Sequence, residues 1–193
     1  YRERANPTPS LAWLRAFHSI YNTPLAAQAV ELLKPQFPDI HLTMYGPDKG
    51  DGSLDRFRST AARLKVEDQI TVAGRIPKRQ VPQCMSRHDI FLNTTNVDNT
   101  PVSVMEAMAL GMCIVSTNVG GIPYLLEDNR NALLVPPDDP KAMAAAVRRL
   151  LTEPGLAARL CRNARSAAEA WDWDLALLRW EGLLLKAVET HHA

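Results

Sequence analysis

Asp98-Asn99-Thr100-Pro101-Val102-Ser103-Val104-Met105-Glu106-Ala107-Met108-Ala109-Leu110-Gly111 is the stretch whose reading decides the fold. A short apolar run, residues 90–93, leads into it through a polar loop, residues 94–99. This order predicts a strand, a loop and then a helix. Thr100 is expected to cap that helix, with Pro101 at its first position and Gly111 as its terminator. A helix start carries unpaired N–H groups and the positive end of the helix dipole, which suits a phosphate or diphosphate. Proline has no N–H, so Val102 and Ser103 are the expected donors.

Working outward, the same unit recurs in both directions. Strands are predicted at residues 11–17, 40–45, 69–73, 90–93, 113–116 and 132–135. Helical stretches lie between them: one capped by Thr23 with Pro24 at its first position and ending before Pro35, one placing Leu54, Phe57, Ala61 and Leu64 on a single face, and a short one at residues 80–87. Asp139-Pro140 opens another, with Met143, Val147, Leu150 and Leu151 inward, and residues 156–170 form the next. A last helix starts near Asp172 and sets Trp173, Leu177, Trp180 and Leu184 on one stripe, read as core or interdomain packing. Strands alternating with helices predict an α/β fold, a single doubly wound domain of about six parallel strands over residues 1–193.

Composition excludes several classes. The chain has 193 residues and a net charge of +1, so nothing global argues for nucleic acid or an anionic membrane. No apolar run reaches the roughly 20 residues of a transmembrane segment. Tyr1-Arg2-Glu3-Arg4 leads into no apolar core, so no export signal is expected. The three cysteines, Cys84, Cys113 and Cys161, lie far apart in sequence without zinc-type spacing. They read as reduced thiols of a cytoplasmic protein, and His191-His192 as a tail pair. Residues 46–52 are glycine-rich but fit neither a dinucleotide fingerprint nor a P-loop. Asn93-Thr94-Thr95 is a formal glycosylation sequon read as chance.

The candidate site residues sit at predicted carboxyl ends of strands, where open α/β sheets bind ligands. Glu106 is a lone carboxylate in an apolar helix; it either meets the hydroxyls of a nucleotide or faces solvent. Asp98 is the carboxylate of the loop before it. Gly120-Gly121 allows close backbone approach to a ligand, or makes an ordinary tight turn. Arg15, near the end of the first strand, reaches a diphosphate or lies on the surface. Arg75 and Ile76, after the third strand, frame a base or are merely solvated.

Taken together, the block from Asp98 to Gly111 with Ile114-Val115-Ser116-Thr117-Asn118-Val119-Gly120-Gly121-Ile122-Pro123 closely resembles the donor-site region of family 4 (group 1) retaining glycosyltransferases. The resemblance runs on through Ala132-Leu133-Leu134-Val135-Pro136-Pro137-Asp138-Asp139-Pro140 and covers most of the chain. It implies the C-terminal, nucleotide-sugar-binding, Rossmann-like domain of a two-domain GT-B type enzyme of glycan biosynthesis. The family's acidic pair, with seven residues between, falls on Asp98 and Glu106. By resemblance Glu106 holds the ribose and Asp98 a hydroxyl of the donor sugar. Thr100, Val102 and Ser103 hold the diphosphate and Arg15 neutralises it, while the loop from Gly74 to Ile76 flanks the base and Gly120-Gly121 approach the ligand. The implied donor is a nucleoside diphosphate sugar, taken as a UDP-sugar, with no cofactor and no metal. The implied partners are an N-terminal acceptor-binding domain and a sugar, lipid or small-molecule acceptor, in the cytoplasm or peripheral to the inner membrane face.

The sequence departs from the family at three points. Aspartate stands at 98 where glutamate is usual, Pro101 where glycine is usual, and Tyr21 where the family has a lysine, with His18 a conceivable substitute. Nothing in the chain corresponds to the N-terminal domain. A non-catalytic nucleotide-sugar-binding or regulatory module, or a related sugar-nucleotide epimerase, therefore stands beside the transferase reading.

Overall fold

The computed structural model describes residues 1–191, so His192 of the C-terminal histidine pair lies outside the described residues. Strands β1 (Ser10–Leu14), β2 (His41–Tyr45), β3 (Ile70–Gly74), β4 (Ile90–Asn93), β5 (Cys113–Thr117) and β6 (Leu133–Val135) form one sheet. They are parallel throughout, in the order β3-β2-β1-β4-β5-β6. Every residue of β4 and β5 is buried, as befits inner parallel strands covered on both faces.

Helices α1 (Thr23–Leu33), α2 (Ser53–Leu64) and α5 (Pro140–Thr152) cover one face; α3 (Val81–Met85) and α4 (Val102–Ala109) cover the other. Helix α6 (Leu156–Glu169) reaches both clusters through Leu160 and Ala164. The first face is built around Trp13, Phe17 and Phe57, whose ring centroids are 5.2 and 5.9 Å apart in sequence. The second packs Phe91, Met85, Met108 and Met112. Asp139 caps α5 by accepting from the Ala142 amide at 2.9 Å, as the Asp-Pro pair predicts.

The structure corrects several expectations. Strand β1 ends at Leu14 rather than residue 17, although the Arg15 N–H still donates to the Tyr45 carbonyl and Phe17 makes an isolated parallel bridge to Asp48. Thr23 is the first residue of α1, not its cap; the cap position is Asn22 in the left-handed region at φ 43°. Thr100 does not cap α4 either. Pro101 holds the cap position in extended geometry, and the helix begins at Val102. The cysteines are not all far apart in space: Cys113 on β5 and Cys161 on α6 are buried with their Sγ atoms 3.1 Å apart. Their mutual hydrogen bond, with burial, pushes the Cys113 thiol pKa well up. Asn93 of the formal sequon is buried, with its amide donating to Ser116 Oγ at 3.0 Å, which fits the reading of that sequon as chance. Helix α7 (Trp173–His191) carries the expected stripe, yet Trp173, Leu177, Trp180 and Leu184 are 57–77% exposed, so they are not core of this chain.

Arg4 was not anticipated at all. It is 2% exposed and ties the N-terminal segment to the amino end of the sheet. Its guanidinium donates to the carbonyls of His88 (3.0 Å), Arg2 (2.8 Å), Leu110 (2.6 Å) and Gly111 (2.9 Å). Asp89, which also accepts from Thr8 N and Oγ1 and pairs with Arg2, balances its charge at 3.5 Å. Arg4→Met would leave these carbonyls without their donor and remove one of the two cations that Asp89 faces. We expect a loss of about 3 kcal/mol, or roughly 6–12 °C in Tm, read by thermal denaturation.

Candidate functional site

The order of the sheet reverses between β1 and β4, and it is there that an open α/β sheet forms its ligand crevice. Arg15 is the first residue past β1. Its carbonyl passes so close to Gly46 that a Cβ there would lie 1.6 Å away, and Gly46 adopts φ 147°. Glycine at 46 is what lets Arg15 take this path.

Across the crevice, the loop after β4 is held from below. Thr94 and Thr95 are fully buried. Thr94 Oγ1 accepts from the Trp13 indole at 3.0 Å and donates to the Tyr21 carbonyl at 2.7 Å. The Thr95 carbonyl accepts from Thr117 Oγ1 at 2.5 Å. Farther along, the Asp98 carbonyl accepts from the Gly121 amide at 2.8 Å. A Cβ on Gly120 would lie 2.1 Å from that oxygen, and one on Gly121 would lie 1.7 Å from the Asn99 carbonyl. The close approach that the glycine pair permits is thus to the loop itself.

This loop brings Asp98 onto Arg15 in an ion pair whose side chains are only 13% and 16% exposed. The Tyr21 ring lies under the same guanidinium, 5.0 Å from its centre. Tyr21, noted in the sequence only as a missing lysine, is therefore the platform on which the arginine rests. His18, the conceivable substitute cation, instead accepts from the Ile20 amide and faces Asp51 at 3.9 Å.

Helix α4 starts immediately beyond. Its first-turn bonds run from the Val104 and Met105 amides to the Pro101 carbonyl. Among the described residues, the Val102 and Ser103 amides have no partner, as expected of donors awaiting an anion. Two buried polar atoms beside them also lack one, Ser103 Oγ and Arg15 Nε. Buried polar groups are nearly always satisfied, yet three others among the described residues, on Arg4, Thr23 and Gln69, also lack a partner. Thr100 is exposed at the rim.

Glu106 is half-buried one turn into α4. Burial pushes its carboxyl pKa up, and Lys78 and then Arg15 pull it partly back. Arg15 thus faces both carboxylates, which the sequence could pair only by resemblance. Lys78 was missed; its signal was the position just after Arg75-Ile76-Pro77 at the carboxyl end of β3. Of the predicted base-flanking residues, Arg75 is exposed and Ile76 is half-buried against the second cluster. Among the described residues no three His, Cys, Asp or Glu side chains gather to hold a metal ion, and no helix is long and apolar enough to cross a membrane.

The family described as Glycosyl transferases group 1 matches residues 13–167. The D-inositol 3-phosphate glycosyltransferase of Streptomyces avermitilis is 25% identical over 170 residues, 85% of this chain and 37% of that protein. Anabaena Alr3699/HepE in complex with UDP-glucose superposes with a TM-score of 0.81 at 18% identity, over 93% of this chain and 49% of its own. The C-terminal domain of LpcC, a glycosyl transferase group 1 family protein of Francisella tularensis, gives a TM-score of 0.74 at 16% identity. That match covers 86% of this chain and 87% of the LpcC domain. The expected doubly wound fold is the one observed. The chain spans about a third of the length of the curated relatives it matches.

The raised Glu106 pKa carries a stability consequence of definite sign. The folded carboxyl sits above its unfolded value of 4.5, so the carboxylate form costs stability. That cost is absent below pH 4.5, where the group is protonated folded or unfolded, and complete once pH has passed the folded pKa. We expect Glu106→Gln to melt above the unaltered chain at pH 7, with the gap closing as pH falls to 4.5, as measured by thermal denaturation across pH.

Proposed function

The chain belongs to the group 1 glycosyl transferases, and from that membership we propose that it is the donor-binding, C-terminal half of a retaining, family 4 type enzyme that takes a UDP-sugar. What supports this reading is Arg15 paired with Asp98 at the switch point of the sheet, the Val102 and Ser103 amides left free at the start of α4, and Glu106 one turn beyond.

The chemistry follows from these groups. A diphosphate enters against Arg15 and the start of α4, where the guanidinium, two amides and the helix dipole offset its charge without a metal ion. Glu106 accepts hydrogen bonds from the ribose hydroxyls, a use that accounts for a carboxylate held half-buried at a cost. Asp98 reaches a hydroxyl of the sugar. Residues 74–76 border the base, and the uridine assignment rests on HepE, which is similar in fold and binds UDP and UDP-glucose. In transfer, the bond from the anomeric carbon to the diphosphate oxygen breaks and one to the acceptor oxygen forms on the same face. The acceptor proton leaves with the nucleoside diphosphate. Charge developing on the leaving diphosphate is what Arg15 and the α4 amides are placed to stabilise.

The acceptor belongs to an N-terminal domain outside this chain, and the exposed stripe Trp173, Leu177, Trp180 and Leu184 is the surface we assign to packing between the two. Holding two reactants in attack geometry contributes about 7–11 kcal/mol when fully realised, so half of the cleft binds donor without turning it over efficiently.

Calorimetry with UDP-glucose tests the donor reading. Binding to the unaltered chain should weaken about ten- to a hundredfold in Glu106→Ala, the value of a charge-assisted hydrogen bond, while circular dichroism stays native. Unchanged affinity in the folded variant would return Glu106 to an ordinary surface role. Donor consumption should be slow for this chain alone, and turnover at ordinary enzymatic rates without any upstream domain would overturn its assignment as a half-enzyme.

A further inference from the structure

Arg15 is a cation of the crevice that the fold itself already neutralises. Asp98 pairs with it, both side chains are mostly buried, and Tyr21 stacks beneath. An anion arriving at the start of α4 therefore meets an arginine that already holds a carboxylate. Asp98 does not simply swing away, because its backbone is fixed by the carbonyl bond to the Gly121 amide and by the close passage over Gly120 and Gly121. Only its side chain is free to change partner.

We infer that Asp98 is an internal counter-ion which the donor's diphosphate displaces from Arg15, and that this exchange makes the site prefer a sugar-bearing donor to the bare nucleoside diphosphate left after transfer. The inference rests on the donor reading of the site and adds a specificity device to it. Displacement leaves a mostly buried carboxylate without its cation, which is costly unless a new donor is supplied. A hydroxyl of the donor sugar supplies one, since an ionised carboxylate is an acceptor with room for two or more hydrogen bonds. A nucleoside diphosphate lacking the sugar supplies none. The product is therefore bound against an unrelieved penalty, and Asp98 retakes Arg15 as it leaves. The aspartate arm suits this role: it meets Arg15 directly from a loop that the glycine pair holds at short range.

Tyr21 belongs to the same device as a positioning residue. With a lysine at that place, a second cation would remain when Asp98 engaged Arg15. With tyrosine, no second cation stands at that place beneath Arg15, and the exchange has a larger effect.

The test is calorimetry of UDP and of UDP-glucose binding to the unaltered chain, Asp98→Asn, Asp98→Glu and, as a control for general charge removal, Asp138→Asn. Asp138 is an exposed acid of the same end of the sheet, bonded to Asn22 at 2.6 Å and not to Arg15. The inference expects Asp98→Asn to bind UDP about three- to tenfold more tightly, with the preference for UDP-glucose over UDP falling by a similar factor. Asp98→Glu, which keeps the charge, should retain weak UDP binding and the preference. Asp138→Asn should resemble the unaltered chain in both. UDP affinity that is unchanged or lower in a natively folded Asp98→Asn overturns the counter-ion role, and so does an equal gain in Asp138→Asn. If the unaltered chain binds neither compound, the donor reading itself fails, and this inference with it.

Discussion

Carbonyl oxygens of Asp98 and Asn99 occupy the space in which residues 120 and 121 would carry side chains, and the functional end of the molecule depends on that exclusion. The contact fixes the height of the loop after β4 and the entry of Pro101. It also sets the direction in which the Val102 and Ser103 amides point. Any Cβ at 121 would have to push the loop by more than an ångström, against backbone and not against a yielding side chain. The threonine pair beneath the loop, with Trp13 and Thr117 as partners, supplies the rigid support. The glycines thus serve a ligand indirectly, by shaping what the ligand meets.

The same region shows where folding stability has been given up. Burial pushes the Glu106 pKa up, and Ser103 Oγ and Arg15 Nε are buried with no partner. Arg4 Nη2, Thr23 Oγ1 and Gln69 Oε1 are buried without a partner elsewhere in the chain. Arg4, more deeply buried than Arg15, spends its donors on four carbonyls and faces Asp89. Each arginine keeps one buried nitrogen without a partner, but Arg4 is spent on backbone carbonyls while Arg15 is paired with a loop carboxylate.

Much of the architecture was legible because it is local. The apolar runs, the Asp-Pro and Gly punctuation and the helical stripes each report on a few neighbouring residues, and parallel strands follow from their alternation with helices. Asp98 and Glu106 were legible as a spaced pair in a recognisable block. What stayed hidden depends on contacts distant in sequence. Arg15 and Asp98 meet across 83 residues, and nothing near either announces the other. Tyr21 read as a loss until its ring was found under the arginine. Thr100 has every local mark of a cap, but the loop's anchoring at Gly121 delivers Pro101 in extended geometry and starts the helix one residue late. The α7 stripe has the right period for a core and yet nothing in the described chain buries it, because periodicity shows an apolar face without showing its cover.

The thiols of Cys113 and Cys161 face each other across the seam between β5 and α6, both at 0% exposure, while Cys84 is partly open to solvent. An alkylating reagent reaches the inner pair only when α6 lifts from the sheet, so their labelling kinetics time that opening much as amide exchange would. Cys84 reacts from the closed state and gives an internal standard in the same sample. Two populations of modified chain, resolved by mass, would then separate the breathing of one helix from the unfolding of the whole, with no residue changed in the protein.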